Sequence, residues 1–189
     1  MTARWALLVG GKGTGQSSLA ARVAAELGRR GVAVGGVVQD ATEDDGGRSY
    51  LARHVGGSES VVVARKGAPP KGARPDALQE FCSFVFDTDA FARARAWIRQ
   101  DAAAADVVVI DEVSKLEVSR GGHHDAIRDA LDGRAIVLLV VRGDQLFSVV
   151  ERFELNDEPV ASLDTGDEAA FARFVEELAR AAGGNLTGA

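Results

Sequence analysis

Short, largely apolar runs alternate along this chain with stretches whose apolar residues recur every three or four positions. Residues 5–9, 32–38, 107–110 and 136–141 form the runs, rich in Val, Ile and Leu and bounded by glycines or acids. Such runs predict strands buried on both faces. Between them, residues 17–30 place Leu19, Val23, Ala24 and Leu27 on one stripe, and Gly31 stands where a helix stops. Asp87 or Thr88 is placed to cap a second helix running to about Ala104, with Phe91, Ala94 and Ile98 facing inward. Further helices are predicted over 124–131 and 143–152. A short last strand is expected over 159–163, and a final helix starting within 164–167 carries Phe171, Phe174, Val175 and Leu178.

The middle third is less regular. Residues 48–53 and 60–65 read as short antiparallel strands around Gly56-Gly57, and residues 81–86 as one more strand. Residues 66–79 hold three of the four prolines with Lys66, Lys71 and Arg74, the composition of an exposed loop. Strand, glycine loop, helix and strand make a right-handed βαβ unit. The alternation as a whole predicts an α/β fold: a mostly parallel sheet, helices on both faces, and a small β-hairpin insertion. Ligands in such folds sit beyond the carboxyl ends of the strands. One domain over residues 1–183 is expected, followed by a flexible tail at 184–189.

Composition narrows the partners. A net charge of −6 and the lack of a dense Lys/Arg block exclude nucleic acid as an expected partner. Cys82 is the sole cysteine, so no intrachain disulfide is expected, and its Phe81-Cys82-Ser83-Phe84 setting predicts a buried apolar role. No apolar stretch has the length of a signal peptide's core or of a membrane helix. A cytoplasmic protein is expected.

Two patterns carry chemistry. Gly10-Gly11-Lys12-Gly13-Thr14-Gly15-Gln16-Ser17 follows a predicted strand and opens a helix. The spacing from Gly10 to Gly15, with Ser17 at the hydroxyl position, fits a phosphate-binding loop: glycines let successive amides point inward, and the helix adds its positive end. Ser17 is the expected Mg²⁺ ligand, and Ser18 completes the loop. The pattern requires lysine at position 16, where this chain has glutamine. Lys12, inside the loop, is the candidate replacement cation, arching back over the phosphates.

The second pattern is Asp111-Glu112, directly after the apolar run 107–110. An aspartate there holds Mg²⁺, and the next glutamate is placed to take a proton from an attacking water. Other polar residues read more blandly. His123-His124 lacks partners at metal-ligand spacing and suggests a surface turn. Arg142, just after the run 136–141, is a candidate phosphate contact, with a surface or helix-capping role favoured over it, and Arg48 is a candidate charge-stabilising finger.

The segment Val109-Ile110-Asp111-Glu112-Val113-Ser114-Lys115-Leu116-Glu117 resembles the Asp-Glu-x-Gly-x-x-Glu motif of small nucleoside-triphosphatases of the cancer-related NTPase type. The order of phosphate loop, Gly-x-Arg hairpin (Gly46-Gly47-Arg48), acidic motif and apolar strand near Arg142 matches over about residues 5–165. Gly36-Val37-Val38-Gln39 is also similar to a bacterial branch whose phosphate loop is altered. The resemblance implies a three-layer P-loop NTPase-like fold and slow hydrolysis of nucleoside triphosphates with broad base preference. It gives Ser17 and Asp111 the magnesium roles, Glu112 the base role and Glu117 a supporting role. Two positions depart from the motif: Gln16 for lysine and Ser114 for glycine.

The function expected is therefore binding of ATP or GTP with Mg²⁺, and slow hydrolysis to diphosphate and phosphate. Lys12 and Glu112 are the expected catalytic residues, and residues 10–18 the nucleotide-binding ones. Two alternatives stay open: a hydrolysis-deficient nucleotide-binding regulator, and a small-molecule kinase using 66–79 as a lid. The nucleotide is the expected ligand, no membrane partner is expected, and a protein partner is left unidentified.

Overall fold

The computed structural model describes residues 4–11, 13–44 and 47–183 of the chain. Strand β1 (Trp5–Gly10) leads through the glycine loop into α1 (Gln16–Arg29) and then β2 (Val34–Asp44). Strands β3 (Gly47–His54), β4 (Ser60–Lys66), β5 (Leu78–Phe81) and β6 (Phe84–Asp87) follow, and then α2 (Thr88–Ala104) and β7 (Val107–Val113). The chain closes with α3 (Lys115–Val118), α4 (His124–Leu131), β8 (Ile136–Arg142), α5 (Leu146–Phe153), β9 (Ser162–Asp164) and α6 (Phe171–Ala181).

Among the described residues, nine strands share one sheet in the order β5-β6-β4-β3-β2-β7-β8-β1-β9. Strands β2, β7, β8, β1 and β9 pair in parallel, and the other four pairings are antiparallel. The parallel half is as predicted. The expected small hairpin is larger: β3 to β6 form an antiparallel wing that continues the same sheet. The run 81–86, expected as one strand, is instead the hairpin of β5 and β6, which turns at Cys82 with φ 55°. Cys82 is exposed at that tip, not buried. Backbone geometry overrode the apolar setting of its neighbours.

Side-chain alternation divides the core cleanly. In β7, Val108 and Ile110 face one side and Val107 and Val109 the other; in β8, Val137, Leu139 and Val141 oppose Ile136, Leu138 and Val140. The first face packs under Phe91, Ala94 and Ile98 of α2, Ile127 of α4 and Val149 of α5. The second packs under Leu19, Val23 and Leu27 of α1 and Phe174, Val175 and Leu178 of α6. Three layers result, as a period-two pattern between helices requires. Helix α2 starts where predicted, with Asp87 Oδ1 accepting from the amides of Asp89 (2.9 Å) and Ala90 (3.1 Å).

Gly36 is the tightest point of the sheet. It has φ 98°, and any Cβ there would collide with the carbonyl oxygen of Val109 on β7. Only glycine meets both demands. The close approach brings β2 against β7 just before the strand ends that carry the polar groups.

Candidate functional site

The parallel strands end together at one edge. Gly10 of β1 is registered against Arg142 of β8, and β8 lies between β1 and β7, which carries Asp111 and Glu112. The glycine loop and the acidic pair thus face each other across the end of an intervening strand.

The loop is braced on its outer side. Thr14 Oγ1 lies 2.8 Å from the carbonyl oxygen of Gly11 and 2.8 Å from Thr165 Oγ1, just beyond β9. Gly10 passes so close to Thr165 that a Cβ there would clash. Gly15, at φ 82°, turns the chain into α1, whose first turn holds no acidic residue. The open amides and positive dipole end of α1 therefore meet no built-in counter-charge. Gly13, Gly15, Gln16, Ser17 and Ser18 line a cleft of about 430 Å³ with Gln39, Tyr50, Arg48, Glu112 and Arg142. Gly10 and Gly11 line a neighbouring recess with Arg142. Lys12, the expected cation, lies outside the described residues, as does Gly46.

Gln16 lines the cleft, but its amide group is engaged elsewhere. Its side-chain Nε2 donates to the carbonyl oxygen of Val141 at 2.7 Å, tying the start of α1 to the end of β8. The next residue, Arg142, reaches three recesses at this edge: the loop cleft, the recess beside Gly10, and an aromatic cavity beside the wing. Its guanidinium pairs with Asp144 through contacts of 2.5 and 3.1 Å. Arg142 thus lines the cleft from the end of β8, as its phosphate-contact reading requires, and keeps an exposed partner in Asp144.

Asp111 is fully buried. Its Oδ2 accepts from the amide of Gln39 (2.8 Å), its Oδ1 from the amide of Glu112 (2.8 Å), and its carboxylate also pairs with the Ser17 hydroxyl. Burial pushes its pKa up to about 6, against the pull of these hydrogen bonds. Glu112 follows at φ 59°, where the β7–β8 register slips between Ile110 and Val113. A bulge with a left-handed non-glycine residue is strained, and it re-aims one side chain. Here it turns Glu112 out of the ladder into the cleft. Burial raises the Glu112 carboxyl, while Arg142 and Arg48 pull it back down. Arg48 itself lies over the Tyr50 ring, 5.4 Å from its centroid.

Ser114, at the motif's glycine position, has an extended backbone that any residue adopts, so its substitution strains nothing. Glu117 closes the turn. Its carboxylate accepts from the amides of Ser114 (3.0 Å) and His123 (3.2 Å), and burial lifts its pKa to about 7. It sits beneath the aromatic cavity and does not line the loop cleft. His123 and His124 are both buried, contrary to the expected surface turn. His124 Nδ1 lies 2.8 Å from the carbonyl oxygen of Glu117, and His123 packs edge-on to Phe91. The loop 66–79 lines neither cavity, and Arg74 pairs with Asp76 and Asp89. Gln39 and Tyr50 are site residues that the sequence reading missed. Gln39 closes the Gly36-Val37-Val38-Gln39 run, and Tyr50 lies on its hairpin partner β3.

Among the described residues no group of three His, Cys, Asp or Glu side chains could hold a metal, and no helix is long and apolar enough to cross a membrane. The sequence profile of a family described as NTPase matches residues 6–170. A search of curated proteins gives no match. Among solved structures the chain is similar to one titled as the solution structure of a human cancer-related nucleoside triphosphatase. The TM-score is 0.68 and the identity 23%, over 92% of this chain and 96% of that one. That likeness establishes the α/β P-loop fold. Because the profile spans most of the sequence, the chain belongs to the NTPase family, and its general chemistry is the binding and hydrolysis of nucleoside triphosphates.

Proposed function

We propose that the chain is a slow, Mg²⁺-dependent nucleoside triphosphatase that yields diphosphate and phosphate, with its phosphate-side cation supplied by Arg142. The observation that carries this reading is the convergence of Glu112 and Arg142 on the loop cleft, while Gln16 is tied to Val141. Residues 10–18 cradle the phosphates through loop amides and the start of α1. The Ser17 hydroxyl and the Asp111 carboxylate fit a magnesium ion. They are already paired, and a buried carboxylate held against its own desolvation gains from an added cation. Held by Ser17 and Asp111, such an ion would neutralise charge on the phosphates.

Glu112 accepts the proton of the attacking water, and Arg142, with Arg48, faces the charge that develops on the transferred group. A regulator without hydrolysis lacks a use for the strained Glu112, so the catalytic reading is preferred. Cytoplasmic residence fits the same reading. The test is single-turnover hydrolysis of Mg·ATP and Mg·GTP by the wild type and Glu112→Gln. The variant keeps nucleotide affinity and loses about 10²–10³ in rate. An unchanged rate removes Glu112 from the chemistry.

A further inference from the structure

Resting on that reading, we infer that the aromatic cavity beside Glu112 is a second substrate compartment. Its occupant is a small aromatic alcohol carrying an anionic group, which takes the phosphoryl group in place of water. The cavity measures about 200 Å³. It lies on the wing side of the cleft, and Gln39, Tyr50, Glu112 and Arg142 form the wall common to both spaces. Anything seated in it therefore meets the same glutamate that faces the phosphate loop.

Its walls specify a ring. Tyr50, Phe81, Phe84, Phe86 and Phe91 surround it, with centroids at 5.2 Å for Tyr50–Phe84, 6.3 Å for Phe84–Phe86 and 5.8 Å for Phe86–Phe91. Of these Phe91 is buried and the other four are half-buried. Clustered half-open aromatics beside convergent polar groups are the composition of a ligand site. The volume falls below the roughly 300–1,000 Å³ of drug-sized sites, which limits the occupant to one ring with short substituents.

Its polar groups specify the rest. Lys115 lines the cavity, is exposed, and forms no ion pair with a described residue, so it is placed to take an anionic substituent. Glu112 is placed to take a hydroxyl proton. In the step, Glu112 removes that proton as the acceptor oxygen bonds to the terminal phosphorus. The bond to the bridging oxygen breaks, its electron pair leaving with the nucleoside diphosphate. A phosphate monoester, the diphosphate and one proton result. Water entering the empty compartment gives slow hydrolysis instead.

The test uses 4-(hydroxymethyl)benzoate as acceptor with Mg·ATP, following ester, ADP and free phosphate by phosphorus NMR. The expected result is a phosphate monoester formed in competition with hydrolysis. Phe84→Ala raises the acceptor KM at least tenfold with kcat little changed. Lys115→Ala raises KM for the benzoate but not for benzyl alcohol. ADP and phosphate without ester overturn the acceptor compartment and leave the hydrolytic reading standing. Ester formed with a KM insensitive to both substitutions overturns the placement in this cavity. If neither ester nor ADP appears, both readings fail together.

Discussion

The side-chain amide of Gln16 donates to the carbonyl oxygen of Val141 at 2.7 Å, one residue before Arg142. The position that a phosphate loop normally gives to a lysine is spent here on a strut between α1 and β8. That strut helps fix the strand end from which Arg142 enters the cleft.

Arg142→Ala should therefore lower hydrolytic turnover about 10²–10³-fold, the usual loss when a positioned donor to developing charge is removed. Gln16→Lys should raise turnover less than tenfold, because a cation is already present. It should also cost about 1 kcal/mol of stability through the lost hydrogen bond. Rapid-quench kinetics and thermal melts of the two variants check this. A large gain in Gln16→Lys with a silent Arg142→Ala would reverse the assignment.

Glu117 makes stability depend on pH. Its carboxyl titrates near 4.5 when unfolded and about 7 when folded, because burial penalises the charge. The folded state thus holds a proton that the unfolded state has released across this window. The stability of the wild type relative to Glu117→Gln should be greatest below about pH 4.5 and decline as pH rises to about 7. Melting temperatures of both proteins at pH 5 and pH 8 read this out, and a difference that stays constant contradicts it.

Two glycines should respond with opposite signs. Gly36→Ala forces a Cβ against the Val109 carbonyl at φ 98° and should cost about 3 kcal/mol or more. Gly28→Ala, inside α1 with open space around it, should add about 0.5–1 kcal/mol. Urea titrations compare them directly.

His123 is fully buried with both ring nitrogens lacking a described hydrogen-bond partner, and burial pushes its pKa down to about 3. The ring is neutral and bears unmet polar atoms. His123→Leu should be neutral or stabilising by about 1 kcal/mol. A loss above 2 kcal/mol in denaturant melts would show that these nitrogens are satisfied in solution.

The parallel half of the fold was legible because fully buried strands are written as apolar runs, and the helices as periodic stripes. Asp87 even marked its own cap. The wing was harder to read. Tyr50, Phe84 and Phe86 are half-buried residues on short strands, where periodicity has too few positions to register. At the site, Ser17, Asp111 and Glu112 were readable by local spacing. The left-handed turn of Glu112 was not, since it follows from how β7 and β8 align. Cys82 and His123 were misread for one reason: a residue's neighbours in sequence do not determine its surroundings in space.

Val37 belongs to two ladders at once, pairing with Ile110 of β7 and with His54 of β3. The parallel half and the antiparallel wing consequently share a strand. If β2 peels from β7, the Gln39 amide leaves Asp111 and Tyr50 is carried off the cleft in the same event. Hydrogen exchange should find the β2 amides opening as one unit with those of β3, slowed together when nucleotide binds. Occupancy at one end of the sheet is thereby written into the protection of the other.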